Sequence, residues 1–291
     1  MKLLVLGCKG QLGRCLSDQL VSAEHEVVFT SRTEIDILDF QATKEKIFEV
    51  APDLVINATA YTAVDQAEED QEIADSINHL AVSNIAEICN EADIWLVHIS
   101  TDYVFDGMSN NPYDENDPVS PQSVYGLSKL NGELAIQSSG CSYLIFRTAW
   151  VFSEYGNNFF KTMLNLGAER DELSIVGDQI GCPTYAQDIA KAIVVAVANL
   201  NLKKSNSSVY HYCGDQSCSW YEFAIAIFQQ ARNFGFTTPN SVCAIDTIDY
   251  PTPASRPRFS VLNCSKIETT FGIRPSNWNR GITEILEIMS S

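Results

Sequence analysis

Short apolar runs alternate with longer amphipathic segments along the first half of the chain. The apolar runs predict buried strands over Lys2–Leu6, Glu26–Thr30, Leu54–Ala58, residues 94–99 and Ser142–Thr148. The segments between them repeat apolar residues every three or four positions, which predicts helices that cover the strands. The order βαβαβαβαβ therefore predicts an α/β fold with a Rossmann-type, doubly wound parallel sheet.

Two of the predicted connecting helices are well marked in the sequence. One covers Phe40–Val50, where the preceding Asp39 is a suitable N-cap. The longest covers Gln71–Ala92 and has one apolar side. A further helix begins at Tyr125, so that it directly follows the strand over residues 94–99 and a polar loop.

The regular alternation of strands and helices ends after Phe152. We expect elements near residues 185–213 to return to the main sheet. The chain is thus predicted to form a sheet domain over residues 1–150 and a smaller C-terminal lobe over residues 151–291. The pattern predicts helices over about 158–166, 220–234 and 278–289, short strands over Leu173–Val176 and Val209–Tyr212, and an amphipathic segment over Asp188–Leu200.

The composition indicates a protein without a membrane span. The chain has 291 residues, of which 45% are hydrophobic, and no apolar run approaches the roughly 18 residues that a span requires. A formal net charge of −18 repels nucleic acid and anionic membranes, so neither is an expected partner. Because no signal peptide precedes the first strand, we expect a cytoplasmic protein.

The nine cysteines are odd in number and widely scattered, and none belongs to a C-x-x-C pair. This pattern predicts reduced and mostly buried thiols rather than a disulfide framework or a zinc site.

A glycine turn follows the first strand and opens a helix. Its residues Gly7, Gly10, Gln11, Leu12 and Gly13 have the spacing G-x-x-G-x-x-G. Glycines allow a tight turn and a close backbone approach, while a helix N-terminus offers N–H groups to a pyrophosphate. The strand-turn-helix context favours a dinucleotide site over a purely structural turn.

The end of the second strand is where such a domain reads the adenosine ribose. Thr30, Ser31 and Arg32 lie there, and two hydroxyls with a guanidinium suit a 2′-phosphate. The preferred cofactor is therefore NADPH, with NADH possible, although Arg32 also fits a solvated loop. Asp36 and Ile37 are placed to contact the adenine.

The third strand ends in small and polar residues that leave room for a cofactor. We assign Ala58, Ala60, Tyr61 and Thr62 to the cofactor site for this reason.

Thr101, Tyr125 and Lys129 are the candidate catalytic residues. Thr101 follows the strand over residues 94–99, at the edge where open α/β sheets bind ligands. Tyr125 and Lys129 are four residues apart and share one helix face. An ammonium beside a phenol favours the phenolate, so Lys129 is expected to lower the pKa of Tyr125. This spacing also arises by chance for about one tyrosine in twenty.

With these residues assembled, the chain resembles the extended short-chain dehydrogenase/reductases, and most closely the dTDP-4-dehydrorhamnose reductases. The resemblance covers essentially the whole chain. It is carried by the glycine turn, by Tyr125 with Lys129, and by the segments 57–65, 100–105, 146–151, 156–159 and 253–257.

The resemblance implies reduction of the C4 ketone of dTDP-4-dehydro-β-L-rhamnose to dTDP-β-L-rhamnose by hydride from NAD(P)H, in the supply of rhamnose for surface polysaccharides such as lipopolysaccharide. By likeness, Tyr125 donates the proton, Lys129 lowers its pKa and binds the nicotinamide ribose, and Thr101 hydrogen-bonds the carbonyl. Tyr125 and Lys129 thereby also belong to the cofactor site. The C-terminal lobe is expected to bind the nucleotide sugar.

The resemblance also implies substrate contacts from Thr101, Asp102 and Trp150. Trp150 fits the core equally well. Arg256 is a candidate for the diphosphate because an arginine matches phosphate geometry, but a surface salt bridge gives the same pattern.

Some members of this family are dimers bridged by Mg²⁺ through glutamates, one of which lies two residues after the third glycine of the turn. Cys15 occupies that position here. We therefore expect no bound metal, and the chain is predicted to be a monomer or a homodimer.

Two alternative functions remain open. One is a related sugar-nucleotide epimerase or dehydratase. Dehydratases carry Asp-Glu after the threonine, whereas this chain has Asp102 and Tyr103. The other is a non-catalytic NADP-binding protein similar to the regulatory subunit of methionine adenosyltransferase.

Overall fold

The computed structural model describes residues 1–21, 25–200 and 207–291. The bounds of its strands and helices follow in chain order. The strands are β1 (Lys2–Leu6), β2 (Glu26–Thr30), β3 (Leu54–Asn57), β4 (Trp95–Thr101), β5 (Tyr143–Thr148), β6 (Val151–Phe152), β7 (Glu172–Val176), β8 (Ile180–Gly181), β9 (Thr184–Tyr185), β10 (Ser208–His211), β11 (Cys218–Ser219) and β12 (Ser241–Ile245). The helices are α1 (Gln11–Leu20), α2 (Phe40–Val50), α3 (Gln71–Asp75), α4 (Ala81–Glu91), α5 (Val124–Ser138), α6 (Phe159–Glu169), α7 (Ala186–Ala198), α8 (Trp220–Asn233), α9 (Ser265–Phe271) and α10 (Trp278–Ser290).

Six parallel strands form the central sheet, in the order β2-β1-β3-β4-β5-β10. The chain winds outward from β1 to β2 and then crosses back to β3, so the winding direction reverses between β1 and β3. A crevice opens at the carboxyl ends of the strands at such a reversal. The predicted doubly wound α/β fold is confirmed.

Alternate residues of the central strands supply two different cores, which explains the continuous apolar runs. Leu3 and Val5 belong to one buried cluster, while Leu4 and Leu6 belong to the other. All four side chains are almost completely buried. The sheet is therefore covered on both faces, as the pattern predicts.

Elements from the second half of the chain adjoin the main sheet. β10 pairs in parallel with β5, and α7 packs against α1. The first core accordingly draws residues from both halves of the sequence. A third, aromatic-rich core lies entirely within residues 152–286 and includes Phe152, Phe160, Phe223 and Trp278. The domain boundary at residue 150 stays a prediction.

Most predicted elements occur close to their expected bounds. Asp39 caps α2, where its side chain accepts from the Ala42 N–H at 2.9 Å. The strand expected over Leu54–Ala58 ends one residue earlier, at Asn57. The long helix expected over 71–92 is interrupted by a π-helical segment over Ser76–Leu80, and such segments are frequent at functional sites.

Within residues 1–21, 25–200 and 207–291, no helix combines the length and the apolar character that a membrane crossing requires. All nine cysteines lie in these ranges and are free thiols. Seven of them are buried, and only Cys243 is exposed. The expectation of mostly buried cysteines is confirmed, and their reduced state stays a prediction.

Candidate active site

The glycine turn brings the chain close to the ends of β1 and β2. Gly7 has a φ of +83°, a conformation that favours glycine. Its N–H and that of Cys8 both donate to the Thr30 carbonyl, at 2.9 and 3.0 Å. A side chain on Gly13 would overlap the Gly7 carbonyl oxygen, so α1 lies directly against the turn. Gly10, the N-cap of α1, lies in the wall of the crevice beside this turn.

Eight of the predicted cofactor residues line one crevice beside this turn. The crevice also has Lys9 and Ile77 in its wall, two residues that the sequence analysis did not assign. The eight residues are Gly7, Gly10, Thr30, Arg32, Asp36, Ile37, Ala58 and Ala60.

The proposed 2′-phosphate site is only partly as expected. The Thr30 hydroxyl donates to the Val5 carbonyl at 3.2 Å, and the Ser31 hydroxyl donates to Glu34 Oε2 at 2.7 Å. This second bond lowers the pKa of the Glu34 carboxyl. Both hydroxyls therefore already have acceptors inside the protein. The exposed cation at this position is Arg32, whose guanidinium lies 3.9 Å from Asp36.

Several predicted cofactor residues lie beside the crevice and not in its wall. Gln11 connects the glycine turn to the second half of the chain, because its side chain donates to the Val151 carbonyl and accepts from Asn158. Leu12 packs against the first core. Gly13 belongs to the glycine turn, and Ser31 makes the contact with Glu34 described above. Thr62 is exposed.

Asn78, in the π-helical segment, holds the loop after β3. Its Oδ1 accepts from the Tyr61 N–H at 2.9 Å, and its Nδ2 donates to the Tyr61 carbonyl and to the Ser128 hydroxyl, both at 3.0 Å. The Tyr61 hydroxyl donates to Asp70. Asn78 therefore fixes the cofactor loop to the catalytic helix.

The structure brings Thr101 and Tyr125 together. Thr101 is the last residue of β4 and caps the following 3₁₀ turn over Asp102–Val104, where its hydroxyl accepts from the Tyr103 N–H. Tyr125 lies in the first turn of α5, where the nearby Thr101 side chain acts to lower the pKa of its phenol. A side chain on Gly126 would overlap the Tyr103 carbonyl oxygen, so glycine lets α5 approach the strand end.

The expected effect of Lys129 on Tyr125 is not observed. Burial raises the pKa of Tyr125 above its usual value, and the Thr101 contact only partly opposes this rise. The Lys129 amino group instead donates to the Ile99 carbonyl at 2.6 Å and lies 3.2 Å from His98 Nε2. Burial lowers the pKa of Lys129 to about 8. The site thus favours the neutral phenol, which is the form that can donate a proton.

Asp102 lies beside Thr101 and is 2% exposed. Its Oδ1 accepts from the Thr101 hydroxyl at 3.0 Å. Burial raises the pKa of Asp102 to about 6, although the nearby hydroxyls of Ser260 and Thr101 oppose the rise. A buried carboxyl at the site edge fits the predicted contact with a sugar hydroxyl.

Trp150 is held in an unusual conformation at the boundary of two cores. It has a φ of +45°, and its indole stacks on Trp220 with ring centroids 3.4 Å apart. A side chain on Gly181 would overlap the indole. Trp150 is half-buried, so it has both a packing role and a surface open to a ligand. A bulky residue with positive φ is costly and is frequent at functional sites.

Arg256 forms the salt bridge that the sequence left open as an alternative. Its guanidinium donates to Asp65 at 2.6 Å and to the Tyr103 hydroxyl at 3.4 Å. Tyr103 in turn packs edge-on against Tyr125, with ring centroids 5.6 Å apart. Arg256 therefore connects the C-terminal lobe to the catalytic tyrosine, and a diphosphate would share its donors with Asp65.

The sequence pattern assigns no role to His98, Asn57 or Asn78, and it marks Tyr103 only as a difference from the dehydratases. Asn57 and His98 are polar residues inside otherwise apolar strands, and this is the signal that points to them. Tyr103 lies in the segment 100–105 that carries the family resemblance, but Tyr125, against which it packs, is distant in sequence. The interrupted helix around Asn78 leaves no mark in the apolar pattern.

No group of three or more metal-ligating side chains occurs among residues 1–21, 25–200 and 207–291. Cys15 is completely buried within α1. The absence of a bound metal stays a prediction.

Comparison with known proteins identifies the family. The family model described as "RmlD substrate binding domain" matches residues 1–291. The dTDP-4-dehydrorhamnose reductase of Aggregatibacter actinomycetemcomitans is 42% identical over 287 residues, which cover 98% of each chain. The chain belongs to the dTDP-4-dehydrorhamnose reductase family. The resemblance inferred from the motifs is thereby confirmed.

Two solved structures of this family share the fold along the whole chain. The dTDP-4-dehydrorhamnose reductase of Clostridium acetobutylicum superposes with a TM-score of 0.93 at 38% identity and covers 100% of both chains. That of Bacillus anthracis, solved in complex with NADP, has a TM-score of 0.91 at 33% identity and covers 99% of both. The crevice described above thus belongs to a fold that holds NADP in a relative.

Proposed function

We infer that the protein reduces the C4 ketone of dTDP-4-dehydro-β-L-rhamnose to dTDP-β-L-rhamnose with NADPH. The observation that carries this proposal is that buried Thr101 and half-buried Tyr125 come together at the carboxyl edge of a sheet that also forms a glycine-lined crevice. Membership of the dTDP-4-dehydrorhamnose reductase family supports the substrate and the reaction.

The crevice fits NADPH on its own geometry. The Gly13 and Gly7 positions leave no room for side chains beside the N-terminus of α1, as a pyrophosphate contact requires. Arg32 and Lys9 supply positive charge for the 2′-phosphate. Ala58 and Ala60 leave space along the wall that leads toward Thr101. When bound, NADPH supplies the hydride for the C4 carbon.

Tyr125 supplies the proton that completes the reduction. The hydride adds to C4, the carbonyl oxygen becomes an alkoxide, and the Tyr125 hydroxyl protonates it, which gives the alcohol. Because burial raises the pKa of Tyr125, the phenol holds its proton at neutral pH. The Thr101 hydroxyl lies beside the phenol and orients it toward the ketone oxygen.

Asp102 and Tyr103 favour reduction over elimination. A dehydratase needs a carboxylate to remove a carbon-bound proton, and Tyr103 stands where that carboxylate would lie. Burial and the adjacent Asp102 raise the pKa of Tyr103 to about 12. A phenol that stays protonated is a poor base, so the hydride chemistry remains while the elimination chemistry is missing.

Lys129 is proposed to bind the nicotinamide ribose, and Asp102, Trp150 and Arg256 the nucleotide sugar. The reaction is proposed to take place in the cytosol, where widely scattered cysteines stay reduced. A monomer and a homodimer both stay compatible with the proposal.

The decisive experiment follows NADPH absorbance and product mass with purified protein and dTDP-4-dehydrorhamnose. We expect one NADPH consumed for each product, with a mass gain of two hydrogens. Loss of water from dTDP-glucose with only catalytic cofactor would identify a dehydratase instead. Inversion of a nucleotide sugar without net NADPH consumption would identify an epimerase.

A further inference from the structure

Three buried polar residues form a line behind the active site. Asn57 of β3 lies opposite His98 of β4 in the parallel register, and Lys129 of α5 reaches the same point. Asn57 and His98 are completely buried and Lys129 is 1% exposed. Asn57 Nδ2 lies 3.3 Å from His98 Nδ1, and His98 Nε2 lies 3.2 Å from Lys129 Nζ. The proposed function uses only Lys129 of the three.

The orientation of the Asn57 amide is determined by the backbone. The Thr59 N–H donates to Asn57 Oδ1 at 3.0 Å, and the Thr59 hydroxyl donates to the same oxygen at 2.5 Å. Rotation of the amide by half a turn would set its NH₂ group against the Thr59 N–H, and a backbone N–H can only donate. The NH₂ group of Asn57 therefore faces the His98 ring.

This orientation determines which nitrogen of His98 carries the proton. Burial and the nearby Lys129 lower the pKa of His98 well below its usual value, so the ring is neutral and has one N–H. Because Nδ1 accepts from Asn57, the proton resides on Nε2. It then points at Lys129 Nζ.

If Lys129 carried an ammonium group, its N–H would face the N–H of His98. Two donors cannot form a hydrogen bond with each other. A neutral amine resolves the conflict, because its lone pair accepts from His98 while its own hydrogen donates to the Ile99 carbonyl at 2.6 Å. All partners in the line are satisfied in this arrangement. Buried polar networks are most stable when every member is paired.

We propose that Asn57 and His98 are positioning residues that favour the neutral amine of Lys129 and thereby couple cofactor binding to the uptake of one proton. The coupling rests on the proposed function, in which Lys129 binds the nicotinamide ribose, and it assigns the ammonium form to Lys129 in that complex. The proton comes from solvent and adds to the lone pair of Lys129 Nζ. The resulting ammonium can no longer accept from the His98 N–H, so this hydrogen bond is lost. No other bond forms or breaks.

The surrounding charges agree with this assignment. Glu133 lies one turn further along α5 and raises the pKa of Lys129, but burial outweighs it and lowers that pKa to about 8. Glu133 is itself paired with Arg147 of β5 at 2.6 Å. Other titratable groups on the elements that pack against α5 include Asp102 and Tyr103 in the turn after β4, Asp75 and His79, which pair with each other, and Glu68, which accepts from the Val124 N–H. Tyr125 lies on α5 itself, and Glu72, Glu87, Cys89, Glu91 and Tyr143 lie on α3, α4 and β5.

The position of the His98 proton is a direct test that needs no cofactor. NMR of protein with ¹⁵N-labelled histidine distinguishes the two tautomers, and His98→Gln identifies the signal among the four histidines. We expect the proton on Nε2. Asn57→Asp replaces the amide donor by an acceptor, so it should move the proton to Nδ1. A proton on Nδ1 in the unsubstituted protein would overturn the proposal, whether or not Asn57→Asp folds.

The coupling is tested by calorimetry of NADP⁺ binding in buffers with different heats of ionisation. We expect proton uptake to rise toward about one per cofactor between about pH 7 and pH 9, since the free amine is then the main form before binding. Asn57→Asp should lose this uptake, while the matched control His79→Gln should keep it. Binding without proton uptake would overturn the coupling.

The outcomes separate this proposal from the proposed function. If NADP⁺ does not bind at all, the cofactor assignment fails and the coupling fails with it. The tautomer of His98 is measured without cofactor and is decided independently. A merely structural role of His98 would change the melting temperature of variants but not the proton uptake.

Discussion

At the scale of single residues, burial controls the protonation states of the site. Tyr125 and Lys129 both lie in surroundings that favour their neutral forms. A tyrosine with a raised pKa keeps its proton until the alkoxide forms. The direction of these shifts suits a reductase, which must deliver a proton, better than an enzyme that starts by removing one.

Tyr125→Phe removes the proton donor and leaves the ring that packs against Tyr103. We expect kcat to fall by about 10²–10⁴, the usual contribution of a general acid, with NADPH affinity nearly unchanged. Steady-state kinetics and NADPH fluorescence titration measure the two quantities. Tyr143→Phe, at the start of β5, is the matched control and should keep full activity. Unchanged turnover in Tyr125→Phe would exclude Tyr125 as the acid.

Arg32→Ala tests the cofactor preference. Arg32 is exposed at the crevice, and a cation there discriminates only the cofactor that carries a 2′-phosphate. We therefore expect KM for NADPH to rise much more than KM for NADH. Equal changes in both constants would contradict the assignment and leave Arg32 as a solvated loop residue.

Stability should decrease between about pH 6.5 and pH 5. Burial and Arg147 lower the pKa of His211 to about 3, whereas the unfolded value is about 6.5. The contribution of neutral His211 to stability is complete above about pH 6.5, its pKa in the unfolded chain. It is lost as the pH falls toward about 3, its pKa in the folded protein. His98 acts in the same direction. Asp102 opposes them, since its raised pKa of about 6 lets the folded protein bind a proton first.

The two histidines act against Asp102, so the unfolded chain binds about one proton more than the folded protein. The free energy of unfolding therefore changes by at most about 1.4 kcal/mol per pH unit. Urea unfolding at several pH values measures this slope. His211→Gln should flatten it, whereas His79→Gln, at a half-exposed position, should not. A slope that is the same in all three proteins would refute the role of His211.

At the scale of elements, the contact between α5 and the turn after β4 assembles the catalytic pair. Ser123 caps α5 through the Gly126 N–H at 3.1 Å, and Thr101 caps the 3₁₀ turn. Gly126 lies where these two elements are closest. Each cap follows from local sequence, but the distance between the caps depends on the packing of α5 on the sheet.

Gly126→Ala should separate these two elements. The added methyl group would overlap the Tyr103 carbonyl oxygen, and overpacking of this kind costs about 1–3 kcal/mol. We expect lower stability and a fall in kcat larger than the change in NADPH affinity, because Tyr125 moves away from Thr101. Leu127→Ala, the half-exposed next residue, is the control. Normal kcat in Gly126→Ala would show that this contact is unimportant for catalysis.

At the scale of the whole molecule, the C-terminal lobe completes the site that the sheet begins. Arg256 reaches Asp65 and Tyr103, and Asn158 reaches Gln11 beside the glycine turn. These polar contacts connect residues that are half the chain or more apart. Residues predicted to bind the cofactor and residues predicted to bind the substrate are thereby connected to distant parts of the chain by hydrogen bonds.

Arg256→Ala should weaken binding of the nucleotide sugar. It removes a cation beside the catalytic tyrosines and leaves Asp65 without this partner. We expect KM for the sugar nucleotide to rise more than kcat falls, with NADPH affinity unchanged. Arg258→Ala, an exposed arginine in the same segment, is the control. An equal effect of both substitutions would indicate that only general positive charge matters.

The sequence by itself determined the sheet and its helices, and it supplied the candidate catalytic residues. Strand and helix periods are local properties, and glycine spacing, strand-end hydroxyls and the Tyr125–Lys129 spacing can be read along the chain. The family resemblance rested on the same local motifs.

Only the tertiary structure decided the charge states and the long-range contacts. Whether Lys129 acts on Tyr125 or on His98 depends on the direction of a flexible side chain and on burial from several elements. Whether Arg256 faces a ligand or Asp65 depends on the docking of the C-terminal lobe. Apolar periodicity contains no information on such directions, because desolvation and pairing are set by residues that are distant in sequence.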